Sequence, residues 1–396
     1  MNPRIFLLPL GAFAIGTGNI VFVGVLAPLA RDLGVAIATA GQLATVFALA
    51  YAFSAPLLVS ATARLPRRGV LIAALTVFVA TNAAMALAPS FGWLIALRVV
   101  AAFAAALYMP VAMGTAVALA DPGHKGRAMA VVLFGLTAAF LTGIPLGTWI
   151  GSTLGWRASF GFAGTLGLVA VIAIAPVLPR VPGAASRGLR GIGVILRPPV
   201  AGNIAITALA FVAVFCVNAY IGPVLTGALG LDGRGIAAMQ VLLGVGSIIG
   251  VPLGGWVADR RPTLGMVALL MAAIVLVQPV YSVLMLAPTA VGTTAAFVAA
   301  GLALVTASAA LFALGPLQQD RLITIVPDER DIVLSLNASA LFLGQGVGAA
   351  LGGVTAGTFG LAANGFMGTA VAAAGVLSIV AVMLHRTGGG ASGVAD

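Results

Sequence analysis

The sequence predicts an all-α membrane protein with 12 transmembrane helices in two pseudo-symmetric six-helix bundles. Three observations predict it. Of 396 residues, 61% are hydrophobic and only 7% charged, whereas soluble domains carry about 25% charged residues. The few charges divide the chain into uncharged runs, and a bilayer-spanning helix needs roughly 20 apolar residues. The order of punctuating residues also repeats at half the chain length, as expected of a duplicated bundle.

Single helices are expected in the runs 5–30, 33–63, 69–97, 99–120, 128–156, 158–179, 198–231 and 235–258. The runs 262–319 and 332–384 are each long enough for two, with turns at Ala287-Pro288-Thr289 and Leu361-Ala362-Ala363-Asn364-Gly365. The fourth helix is placed from near Phe91, so Arg98 lies inside it. The first run has one arginine before it and further spans after it, so it reads as a retained helix rather than a cleaved leader.

The basic residues orient these helices. With the N-terminus inside, the inner set is Arg4, Arg64, Arg67, Arg68, Lys125, Arg127, Arg180, Arg187, Arg190, Arg197, Arg260, Arg261, Arg321, Arg330 and Arg386. The outer set is Arg31, Arg157 and Arg234. This asymmetry predicts cytoplasmic termini. Residues 1–180 are read as the first bundle, 181–199 as a cytoplasmic linker rich in proline and arginine, 200–386 as the second bundle, and 387–396 as a disordered tail.

Other functions are excluded by what is absent. The basic residues punctuate apolar runs instead of clustering with aromatics, so no nucleic-acid partner is expected. One cysteine, Cys216, allows neither an intramolecular disulfide nor a cysteine-based metal cluster. No Ser, His and Asp converge in an extramembrane domain, and the glycine-rich stretches lack the lysine of a nucleotide loop. An enzyme, a cofactor and a resident metal are therefore not expected.

The half-chain echoes are specific. Pro28 to Gly34 closes helix 1 as Pro223 to Gly230 closes helix 7, and each is followed by a helix with an early glutamine, Gln42 or Gln240. Leu107-Tyr108-Met109-Pro110 answers Leu314-Gly315-Pro316. The ladder Gly143, Pro145, Gly147, Gly151 in helix 5 answers Gly344, Gly346, Gly348, Gly352 and Gly353 in helix 11. Proline in a water-exposed helix would be costly. In a membrane bundle, neighbours satisfy the freed backbone and glycines allow close approach.

That ladder resembles the fifth-helix antiporter motif of exporters in the major facilitator superfamily. Further matching residues are Leu65-Pro66-Arg67-Arg68, Leu97-Arg98-Val99, Gly126-Arg127-Ala128, Gly155-Trp156-Arg157 and Asp259-Arg260-Arg261-Pro262. The chain is similar to the drug/proton antiporter group of that superfamily, of the arabinose-efflux-permease and chloramphenicol-exporter type. The resemblance implies alternating access about one central site, export of a small and mostly apolar compound, and proton antiport. It also implies a monomer in a bacterial plasma (inner) membrane. Arg64, Arg67, Arg68, Gly143, Pro145, Gly147, Gly151, Asp259 and Arg260 are the residues it assigns to conformational motifs.

Two departures follow from the same comparison. The loop signature normally carries glycine, acid and glycine where this chain has Val59, Ala63 and Pro66. Relatives often carry glutamate where this chain has Asn19, and an amide cannot carry a proton at the midplane. Asp320 and Asp32 are the acids nearest a span interior and stand as proton-coupling candidates. The missing midplane acid keeps an uncoupled facilitator or an uptake transporter open, and a transporter-like ligand sensor is a third reading.

Polar groups in lipid-facing helices must find partners, which directs them inward. Asn19, Gln42, Tyr51, Arg98, Tyr108, Thr142, Asn218, Tyr220, Gln240, Asn337 and Gln345 are therefore the candidate lining of a substrate cavity. Arg98 is the only charge within a span and is placed roughly 10 Å from the outer end at about 1.5 Å per residue.

Overall fold

A computed structural model describes residues 2–121, 123–183, 192–260, 264–287 and 292–388. Twelve helices are long and apolar enough to cross a membrane: α1 Pro3–Asp32, α2 Ile37–Thr62, α3 Arg67–Ala86, α4 Phe91–Leu119, α5 Lys125–Leu154, α6 Trp156–Val177, α7 Pro198–Asn218, α8 Gly233–Ala258, α9 Leu264–Leu286, α10 Thr293–Ile325, α11 Ile332–Phe359 and α12 Leu361–Met383. No strand occurs among the described residues. The turn expected at Ala287-Pro288-Thr289 and the pair Arg261-Pro262 lie wholly or partly outside the described residues. So do residues 184–191 of the linker and residues 389–396; the last helix runs to Gly388, past the start of the expected tail.

Matching turns relate the two halves. Gly155, at φ 92°, alone separates α5 from α6, and Gly360, at φ 84°, alone separates α11 from α12. Gly34 and Gly230 stop α1 and the short helix after α7 at φ 64° and 66°. Side chains rarely tolerate this left-handed region, which suits glycine to a helix stop. Caps close other ends. Ser90 Oγ accepts from Trp93 N at the start of α4, and Asp232 Oδ1 accepts from Gly235 N at 2.8 Å before α8.

Helices α1 and α7, continuous in the sequence reading, are both broken. The regular part of α1 stops at Ile20 and resumes at Leu26, four residues before Ala30, with a tighter turn at Val23–Val25 between. After α7 ends at Asn218, a second helix resumes at Ile221–Leu229. Each break precedes a proline, Pro28 or Pro223, that lacks an amide donor and crowds the carbonyl four residues back. Broken helices near the midplane expose backbone groups that the bundle must satisfy.

The helix-5 ladder is a packing face. A Cβ on Gly143 would meet Thr17, one on Gly147 would meet Val21, and one on Gly151 would meet Val25 and Ser159. Three glycines at four-residue spacing thus seat α5 against α1 within one bundle. In α11, Gly344, Gly348 and Gly352 lie on Ala208, Val212 and Cys216 of α7 in the same way. In this structure the ladder's glycines give close packing of α5 on α1. The local irregularity is a widened turn at Ala139–Gly143, immediately before Pro145. It accommodates the missing proline amide.

Candidate functional site

The halves meet around a cavity of about 80 Å³ lined by residues of both. Four of the expected polar residues share it: Asn19, Asn218, Gln240 and Gln345. Asn19 Oδ1 accepts from Gln345 Nε2 across the halves at 3.3 Å. Ser308, a set of phenylalanines and several leucines, isoleucines and a valine complete the lining, and no ionisable side chain contributes. Neutral amides can orient a cargo through hydrogen bonds without the desolvation cost of a buried charge.

On the arginine-poor side, the halves are sealed by close contacts. Thr148 Oγ1 donates to Gln240 Oε1 at 2.6 Å. Tyr220 Oη reaches Ala349 O at 3.0 Å and crosses to Ala38 O at 3.3 Å. Glycines let the backbones touch: a Cβ on Gly222 would lie 2.6 Å from Val23 O, one on Gly233 would meet Ser152, and one on Gly244 would meet Leu141. On the arginine-rich side, the closure is one aromatic layer. Tyr51 stacks on Phe342 with centroids 3.6 Å apart, and Phe140 meets Phe312 edge-on at 5.1 Å. Phe140, Phe312 and Phe342 sit one turn toward the arginine-rich end from Ile144, Ser308 and Gln345.

The seal makes a direct prediction. Thr148→Val removes the donor and leaves the Gln240 oxygen unpaired, at a cost of about 1–3 kcal/mol to the sealed state. The arginine-poor side should open more often, read as faster labelling of a cysteine at Ser152 in a Cys216→Ala background. Unchanged labelling would show that this bond carries little of the closure.

The other expected cavity residues lie elsewhere, each for a visible reason. Arg98 is 1% exposed. Its Nη1 donates to Gly18 O at 2.8 Å, its Nε to Leu43 O at 3.2 Å, and its Nη2 to Asn19 O. Its guanidinium lies 4.8 Å from the Phe22 ring centroid and 4.3 Å from that of Phe47. It therefore neither reaches the outer interface nor lines the cavity. It supplies donors to the break in α1.

Tyr108 Oη donates to Leu8 O at 2.8 Å and fixes α4 to α1. Asn337 Oδ1 accepts from Thr207 Oγ1 at 2.8 Å, joining α11 to α7. Gln42 Nε2 donates to Ala38 O in its own helix. Thr142 is exposed and bonds Ala138 O. Tyr51 and Tyr220 belong to the two closures.

The arginine loop and the acids also settle locally. Arg68 donates to Ala175 O, and Arg67 N donates to Val181 O at 3.0 Å. This ties α3 to the end of α6 within the first bundle, while Arg64 is exposed. Arg260 lies over the Trp256 ring at 3.6 Å. Asp32 is not in the cavity: it pairs with Arg157 Nη1 at 2.5 Å and accepts from Trp156 Nε1 at 2.9 Å, at the arginine-poor edge. Asp320 and Asp259 line a different pocket, at the arginine-rich end of the second bundle.

Sequence reasoning missed several contributors. Asn364, read only as a turn residue, donates to Cys216 O at 3.0 Å beside the break after α7. Gln278 of α9 donates to Ala213 O at 2.8 Å. Together they support the broken helix of the second half, as Arg98 supports that of the first. The cavity residues Ser308, Phe211, Phe215 and Phe312 carried no signal that separates them from ordinary bundle packing.

Comparisons with known proteins agree with this architecture. The family model described as Major Facilitator Superfamily matches residues 8–318. The uncharacterized MFS-type transporter YbcL of Bacillus subtilis is 31% identical over 89% of this chain and 88% of its own. The chloramphenicol resistance protein of Streptomyces lividans is 34% identical over 65% of this chain and 67% of its own. Among solved structures, the nucleoside transporter NupG superposes with a TM-score of 0.76 at 13% identity, covering 96% of this chain and 98% of that one. A bacterial homolog of the human lysosomal transporter Spinster superposes at 0.74 and 17% identity, covering 96% and 95%. Twelve apolar spans, a duplicated order of turns and this agreement across nearly the whole chain make it a member of the major facilitator superfamily, a multi-pass membrane transporter family.

Proposed function

We propose that this chain exports a small, uncharged, mostly apolar compound by alternating access, as a monomer in a bacterial inner membrane with both termini cytoplasmic. One observation carries the cargo class: the cavity between the halves is lined by amides, a hydroxyl, phenylalanines and aliphatic side chains, with no ionisable side chain. Direction of transport is supported by the helix-5 motif and by similarity to a chloramphenicol resistance protein. The drive implied by the family resemblance is proton antiport. The neutral lining favours a second reading, uncoupled facilitated movement, because no group in it can take up a proton.

Purified protein in liposomes with an internal pH-sensitive dye separates these readings. Chloramphenicol, nucleosides and sugars would be offered with and without an imposed pH gradient. Proton movement locked to one compound supports antiport, flux without proton movement supports the facilitator, and binding without flux refutes both. Asn19→Glu sharpens the comparison, because it places a carboxyl beside Gln345 in the cavity. The variant should make flux at least several-fold more dependent on the pH gradient than the parent. An unchanged dependence would refute the link between Asn19 and the absence of a cavity proton site.

A further inference from the structure

A cavity larger than the one between the halves lies elsewhere in the molecule. A pocket of about 670 Å³ opens at the arginine-rich end of the second bundle, among α7, α10, α12 and the facing ends of α8 and α9. That is drug-sized, within the range of about 300–1,000 Å³ typical of small-molecule sites. Its walls are apolar, among them Ile206, Leu209, Leu264, Ile325, Ile379 and Val382.

Its charges are unequal. Asp259 and Asp320 both line it, and neither carboxylate has a hydrogen bond or ion pair among the described residues. The cation in the lining, Arg321, is already engaged: its Nε donates to Asn203 Oδ1 at 3.0 Å. The nearby Arg260 is held over Trp256 and does not line the pocket. Two unpartnered carboxylates beside an apolar chamber complement a cation carrying an apolar body.

The cavity is not imposed by the duplicated fold. The corresponding end of the first bundle holds a much smaller pocket, of about 150 Å³ beside Ala63 and Arg67, with Leu178 and Val181 buried and Arg68 bonded to Ala175 O. Gly183 there packs on the backbone of Ala63 and Arg64. In the second bundle, by contrast, a Cβ on the pocket residue Gly202 would meet open space.

We propose that this pocket is a second binding site, taking an amphiphilic cation whose ammonium lies beside Asp320 and Asp259 and whose apolar body fills the space between α7, α10 and α12. The site is separate from the cavity between the halves, and its test does not depend on what that cavity carries. The full-length protein would be placed in nanodiscs of uncharged lipid. A dansyl-labelled quaternary alkylammonium would be titrated, with energy transfer from tryptophan as the readout and empty nanodiscs as reference.

Saturable binding is expected, with a dansyl alkylsulfonate of the same tail bound at least about tenfold more weakly. Asp320→Asn, a near-isosteric change at a half-exposed position, should raise Kd about tenfold. Gly202→Phe should fill the chamber and remove binding while the protein stays monodisperse. Equal binding of the sulfonate would overturn the proposal, as would an unchanged Kd in both variants. Binding that occurs only after residues 389–396 are deleted would overturn it in favour of the chain's own end as occupant.

Discussion

Arg98→Ala should lower transport at least about a hundredfold while the protein still inserts and remains monodisperse. The arginine donates to three backbone carbonyls, two of them at the break in α1, and it lies near two phenylalanine rings. A buried acceptor left without its donor costs about 1–3 kcal/mol, and charged partners count for more. Losing several at once exceeds what a marginal helix break can absorb, so α1 should rearrange at Asn19, where the cavity begins. Arg98→Lys should recover only part of the activity, because an ammonium lacks the planar fork that spans neighbouring carbonyls. Radiolabelled uptake into vesicles, set against membrane yield, reads both variants. Normal flux in Arg98→Ala would show that the break holds without the clamp.

Gly222→Leu should hold the protein open on its arginine-poor side. Gly222 follows the break after α7, and its missing side chain leaves room for the α1 backbone: a Cβ there would lie 2.6 Å from Val23 O and 3.0 Å from Gly24 O. Both contacts are backbone atoms of the other half and cannot turn aside as a side chain would. Overpacking of this kind costs about 1–3 kcal/mol. That equals roughly a five- to 150-fold shift between two states differing in this contact, at about 1.4 kcal/mol per factor of ten. Transport should fall accordingly. Labelling of a cysteine at Ser152, in a Cys216→Ala background, should rise by a similar factor. Full activity would mean that the two backbones separate without cost.

The spans were legible because charge is expensive in lipid, so the arginines and lysines, Arg98 apart, mark the ends of spans. The turns were legible for a different reason. Gly34, Gly155, Gly230 and Gly360 adopt backbone angles that side chains avoid, and two of them close the proline-containing echoes read from sequence. The breaks in α1 and after α7 were not read, although Pro28 and Pro223 mark them. A proline in a membrane helix can equally be absorbed within a continuous helix, as Pro110 and Pro316 are within α4 and α10.

The cavity was half legible. A buried polar group must find a partner, but nothing in a single sequence says whether the partner is a cargo or a neighbouring helix. Asn19, Asn218, Gln240 and Gln345 face the space between the halves, whereas Tyr108 and Asn337, equally polar, are spent on joining helices. Phe312 and Phe342 of the aromatic layer were not singled out, and Phe140 suited a cavity no better than a lipid-facing surface, because the same residue type covers both, as exposed Phe53 and Phe134 show.

The clamp on α1 has an electrostatic consequence. Arg98 is buried, its ligands are uncharged carbonyls and rings, and it bonds the carbonyl of Asn19, whose residue lines the cavity. A full positive charge in a medium of low dielectric is felt strongly at such short range. Nothing in the cavity lining offsets it. Hydronium and metal ions entering the space would meet a repulsive barrier, as they do at arginine-lined constrictions in water-selective pores. If the cargo is the uncharged compound proposed above, the same charge that clamps α1 would also help the cavity to turn metal cations away.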